Sequence, residues 1–179
     1  MRQLGKIMAS AGVFTMVACS GVTIPALANT TPSILTTVPH TIVKAVTSEK
    51  VYTSTGKLVT LPTNQPDLFA AWWCPHCHEA LKQLKVDHKL GTFDLISIYV
   101  NGDTSKPVTT WKQALALTEK SLHQLGVKVP ISHIYLAMPN SPINRQISGV
   151  PTLWKFAKGK QAKELVGTPN TANVWKMVL

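Results

Sequence analysis

Trp72-Trp73-Cys74-Pro75-His76-Cys77-His78 is the stretch whose reading decides the rest of this chain. It carries two cysteines three positions apart, and it sits at a change of pattern. Upstream, residues 67–72 (Asp-Leu-Phe-Ala-Ala-Trp) predict a short buried strand. Downstream, residues 75–90 predict a helix, with Pro75 in the first turn, where a missing N–H costs nothing, and Gly91 as the stop. Cys77, Leu81, Leu84 and His88 share one face of that helix, and Glu79, Lys82, Gln83 and Lys85 lie away from it. A Cys-x-x-Cys at a strand-to-helix junction fits three chemistries: a redox dithiol, half of a zinc site or, because His78 follows, a c-type haem attachment site.

The chain around it has 179 residues, 45% of them hydrophobic, enough for one domain with a buried core. Arg2 and Lys6 form a basic start, residues 7–18 an apolar run too short to span a bilayer, and Pro25-Ala26-Leu27-Ala28 a small-residue cleavage site. This pattern predicts a secretory signal peptide over residues 1–28, and so an exported protein of the bacterial periplasm or the outer face of the cell envelope. Val17-Ala18-Cys19-Ser20 resembles a lipoprotein box, which makes Cys19 a candidate lipidation site and a lipid anchor the one expected contact with membrane. No later run approaches the ~20 apolar residues of a membrane helix.

Export places the protein where disulfides persist. The four-residue loop between Cys74 and Cys77 would staple almost nothing, so the pair is there for chemistry rather than for stability. The net charge of +10 comes mostly from lysines scattered singly. That distribution reads as a solvated basic surface and not as a nucleic-acid site.

Residues 29–50 read as a tether and an edge strand, the strand falling on the Thr- and Val-rich residues 41–46. Residues 51–61 form a hairpin around Ser54-Thr55-Gly56-Lys57. Strands are expected at 93–100 and 131–138, a helix at 111–125 ended by Gly126, and a short helix within 139–147. A hairpin of residues 152–157 and 163–166 follows, with a closing helix at 171–179. Strands alternating with helices argue for an α/β domain over residues 51–179, a mixed sheet covered on both faces.

Trp73-Cys74-Pro75-His76-Cys77 after a hydrophobic strand, joined to Gly149-Val150-Pro151-Thr152 about 75 residues later, resembles the thioredoxin-like superfamily. The hairpin ahead of the core strand is similar to the TlpA/ResA branch of exported members. Pro75-His76 between the cysteines and Val150 before the proline are similar instead to DsbA-type oxidases. The resemblance implies a thioredoxin-like fold, a cis bond at Pro151, and thiol–disulfide oxidoreductase activity on protein thiols or disulfides, with a membrane redox partner. It implies no cofactor beyond the Cys74–Cys77 disulfide itself, and no metal.

Within that frame Cys74, at the helix N-terminus, is the nucleophile and Cys77 the resolving thiol. Pro75 and His76 tune the thiolate. Val150, Pro151 and Trp73 line the substrate surface, Trp72 belongs to the core, and His78 is exposed. His76 favours the reduced dithiol and hence the oxidising direction; the alternative is a TlpA/ResA-type reductant serving cytochrome c maturation. Metal carriage through the two thiolates with His76 or His78, and haem attachment, are the competing readings. One departure stands out. Thioredoxin and DsbA carry a buried acid six residues before the first cysteine, where this chain has Leu68; neighbouring Asp67 falls on the other face of the strand and is no substitute.

Overall fold

The computed structural model describes residues 35–99, 108–157, 161–168 and 179. The expected signal peptide, Cys19 and all but the last residue of the expected closing helix at 171–179 lie outside the described residues. The elements run β1 (Thr36–Thr37), α1 (His40–Thr47), β2 (Lys50–Thr53), β3 (Leu58–Thr60), β4 (Asp67–Ala70), α2 (Pro75–Val86) and β5 (Asp94–Ser97). Then follow α3 (Trp111–Gln124), a 3-10 turn (Ile131–His133), β6 (Ile134–Leu136), α4 (Ile143–Gln146), β7 (Thr152–Ala157) and β8 (Gln161–Val166).

The described strands form one mixed sheet in the order β1-β8-β7-β4-β5-β6-β2-β3. β4, which leads into the dithiol, is interior: parallel to β5 on one side and antiparallel to β7 on the other. It is buried along its whole length, as a strand covered on both faces must be.

Alternate residues along the strands feed two separate cores. Leu68, Leu95, Leu136, Leu153 and Leu165 pack with Cys77, Leu81 and Leu84 of α2 and with Ala114 and Leu122 of α3. Phe69, Ile96, Trp154 and Ala162 pack on the opposite face with Val43 and Val46 of α1 and Ile143 of α4. There the Phe69 and Trp154 rings meet edge to face at 5.2 Å, and Trp154 Nε1 donates to Glu164 at 3.3 Å. The expected mixed α/β sheet flanked by helices and preceded by a β-hairpin is the fold observed.

Residues 41–46 depart from expectation: they form helix α1, not a strand. Their Thr and Val content favours a strand locally, but Val43 and Val46 are three apart, and both are buried against the sheet only when the segment is helical. The edge strand lies earlier, at Thr36–Thr37, paired with β8.

Helix α2 also ends sooner than Gly91. At its end the Lys89 N–H bonds Leu84 O at 2.9 Å and the His88 N–H bonds Lys85 O at 3.2 Å, with His88 at φ +56°. This is a Schellman cap with histidine in the left-handed position glycine usually fills. Helix α3 closes by the same pattern with glycine: Val127 N–H to Leu122 O, Gly126 N–H to His123 O, and Gly126 at φ +62°.

Candidate active site

Cys74 is the N-cap of α2, in extended conformation, and Pro75 opens the helix where no N–H is needed. The sulfur of Cys74 accepts the Cys77 N–H at 3.4 Å, a bond that brings a positive backbone dipole to the place a thiolate would form. As a thiol it donates to Val150 O at 3.6 Å, so the two motifs separated by about 75 residues in sequence meet at one atom. The Val150–Pro151 peptide is cis. Val150 is half-buried, while Pro151 and Thr152 are buried behind it.

Cys77 lies one turn deeper, 1% exposed against 5% for Cys74. Its sulfur accepts the Ala71 N–H at 3.5 Å. Burial pushes the Cys77 thiol well above the ordinary cysteine range; the Ala71 N–H opposes this and Cys74 adds to it. Cys74 is thus the less buried of the two sulfurs, and Cys77 the one whose thiol burial raises.

Among the described residues no acid stands by to take the Cys77 proton. Leu68 occupies the core beside Cys77, and Asp67 points to the face of Phe69 and Trp154. Asp67 is completely buried, neither of its oxygens has a hydrogen-bond partner among the described residues, and Asp94 lies directly across from it on β5. Burial first, and the Asp94 charge second, raise its pKa well above the usual carboxylate range. Asp94 itself is served by Gln65 and by His133 at 3.0 Å.

The two histidines of the motif part company. His76 is 72% exposed and its Nδ1 faces Glu79 at 3.2 Å; no bond joins it to Cys74. Its ring stands in solvent beside a carboxylate and not against the Cys74 sulfur. His78, expected at the surface, is half-buried, with Nε2 2.8 Å from Trp72 O. Trp72 itself is half-buried and lines a small cavity between β4, α2 and α3. Among the described residues no three His, Cys, Asp or Glu side chains converge as metal ligands. Trp73 packs half-buried against the α2–α3 core.

Sequence reasoning missed three residues of this neighbourhood. Ser121 of α3 donates to Trp72 O at 3.2 Å. Gly167 donates its N–H to Pro151 O at 2.8 Å, and the Thr168 hydroxyl bonds His76 O at 2.9 Å, so the end of β8 braces both halves of the site. No spacing rule reaches them, because each contact crosses between elements far apart in sequence.

The solved structures whose chain path is similar include thioredoxin-like proteins. StoA from Bacillus subtilis is similar over 74% of this chain and 97% of its own, at 20% identity and a TM-score of 0.47. A thioredoxin-like protein from Aeropyrum pernix is similar over 77% and 91%, at 12% identity and 0.48. A secreted Mycobacterium tuberculosis disulfide oxidoreductase is similar over 72% and 89%, at 14% identity and 0.44. No family model matches the chain, and no curated protein matches it.

Proposed function

We propose that this protein is an extracytoplasmic thiol–disulfide oxidoreductase that exchanges disulfides with protein substrates through Cys74 and Cys77. The observation that carries the reading is the Cys74 sulfur, held at a helix N-terminus between the Cys77 N–H and the Val150 carbonyl. The exported location rests on the signal pattern of residues 1–28, with Cys19 as the candidate anchor.

In the reducing direction the Cys74 thiolate attacks one sulfur of a substrate disulfide. A mixed disulfide forms, and the other substrate sulfur leaves as a thiolate. Cys77 then loses its proton and attacks Cys74 Sγ, which releases the second substrate thiol and leaves the Cys74–Cys77 disulfide. The substrate gains two electrons and the enzyme loses two. The oxidising direction is the reverse, and a membrane redox partner resets the pair in either case.

The half-buried Val150 segment beside Cys74 supplies a backbone edge for an extended substrate peptide. Direction follows from how well the thiolate is stabilised. The N-cap position of Cys74 favours the reduced pair and an oxidising role, and this is the direction we assign. The turning of His76 toward Glu79 favours the alternative, a reductant of the TlpA/ResA type.

Equilibration with glutathione decides between them. A potential near about −120 mV supports the oxidase, and one near about −270 mV the reductant. A protein that neither reduces insulin nor oxidises a reduced substrate protein would overturn the function as a whole.

A further inference from the structure

The carbonyl of Trp72 lies in the turn between β4 and α2, two residues before Cys74, outside both the strand and the helix. A carbonyl drawn partly out of water needs donors, and here two side chains supply them. His78, in the first turn of α2, brings Nε2 to 2.8 Å of the oxygen. Ser121, in the last turn of α3 and 8% exposed, donates its hydroxyl at 3.2 Å. The Ser121 hydroxyl and His78 Nε2 are themselves 3.2 Å apart. A carbonyl can only accept, so Nε2 bears the hydrogen in this contact. The cluster borders a cavity of about 20 Å³, the size of a single water, lined also by Ser97 and Thr118, whose hydroxyls are 2.9 Å apart.

We propose that His78 and Ser121 are positioning residues: held from two helices at once, the Trp72 carbonyl fixes the turn that delivers the Cys74 sulfur to Val150. The role rests on the exchange activity proposed above. Among the described residues the backbone bond Cys74 N–H to Ala71 O at 3.1 Å closes this turn, and the next, His78 N–H to Cys74 O, already belongs to the helix. The two side-chain bonds add ties to both helices. One ties the turn to the helix that Cys74 caps, and the other ties it to α3. Exchange requires three sulfurs close to a line, and an ångström of misplacement is enough to slow such a step by one to two orders of magnitude.

The test measures the rate at which Cys74 attacks glutathione disulfide in a Cys77→Ser background, so that a single step is read. His78→Ala and Ser121→Ala should each slow it about tenfold. The double variant should fall well short of a hundredfold, because the two donors share one acceptor. His78→Gln and Ser121→Thr, which retain a donor, should stay within about threefold of the parent rate. Thermal midpoints above the assay temperature ensure that folded protein is compared, since a merely structural role lowers the midpoint and leaves the folded rate unchanged. Alanine variants that react at the parent rate, or conservative variants as slow as alanine, overturn the proposal. Glutathione disulfide needs no protein-binding surface, so a wild type that reacts with it but leaves protein disulfides untouched overturns the proposed function alone. A wild type inert to glutathione disulfide overturns both.

Discussion

Replacing Asp67 by asparagine isolates the cost of a buried, unserved acid. The side chain is completely buried and faces Asp94 across the β4–β5 register and Trp154 across β4–β7. Neither oxygen is hydrogen-bonded among the described residues. Even as a neutral group such a side chain costs about 1–3 kcal/mol, and asparagine carries a similar cost. The difference between the two lies in the proton. The folded pKa of Asp67 is raised above its unfolded value of about 3.9, so from that pH upward the native state binds more protons than the unfolded state. Native stability then falls as pH rises, with a slope of at most about 1.4 kcal/mol per pH unit for one proton, until the folded pKa is passed. The Asp67→Asn variant has no proton to lose at this position and no such slope. Asp94, whose pKa burial also raises, contributes its own slope to both proteins; it cancels in the difference as long as Asp67 is neutral, and once Asp67 ionises the repulsion between the two carboxylates adds to the variant's advantage. Urea unfolding of the reduced proteins at pH 4, 5, 6 and 7 should therefore give similar stabilities at pH 4. By neutral pH the variant should be the more stable by at least about 1 kcal/mol. Parallel pH curves, or a variant that loses its advantage as pH rises, would refute the account.

Cys74→Ser should abolish exchange, and Cys77→Ser should accumulate mixed disulfides with substrate, visible on non-reducing gels and lost on adding thiol. Because burial holds the Cys77 thiol high, release from a preformed mixed disulfide should accelerate roughly tenfold per pH unit from pH 6 to 9 without a plateau, as stopped-flow measurement can follow. His88→Gly should stabilise the protein by about 0.5–1 kcal/mol, since glycine removes the left-handed strain at the α2 cap; calorimetry would show the midpoint rising. Gly56→Ala should destabilise by about 1–3 kcal/mol, because Gly56 has φ +82° and an added Cβ would lie 2.4 Å from the Trp111 ring; urea unfolding would show the loss.

The strand–turn–helix around the dithiol is legible in the sequence because its pattern is local: a continuous apolar run, proline at the first helical position, then helical spacing. The opposite facing of Leu68 and Asp67 follows from the two-residue period of a strand alone. The meeting of Cys74 with Val150 is legible only through resemblance, since nothing in residues 149–152 announces its partner. Residues 41–46 mislead because their β-branched content is a local signal, and burial against a distant surface overrides it. His78 misleads for a related reason. Helical spacing gives the direction of its Cβ, but its ring reaches back to a carbonyl in the preceding turn. Ser121 and Thr168 leave no trace in the sequence, because a single hydroxyl has no periodicity to read.

The short run after β8 changes what counts as the smallest working piece of this molecule. Gly167 and Thr168 follow the last described strand and would pass for a dispensable tail, yet one touches the proline of the second motif and the other the histidine of the first. Loss of these two contacts would leave every described strand of the sheet and both cysteines in place. It would nonetheless release the brace between the substrate edge and the dithiol loop. Thr168→Ala, which removes the hydroxyl contact alone, should keep its circular dichroism spectrum while its exchange rate falls, so the working unit takes in residues beyond the last described strand.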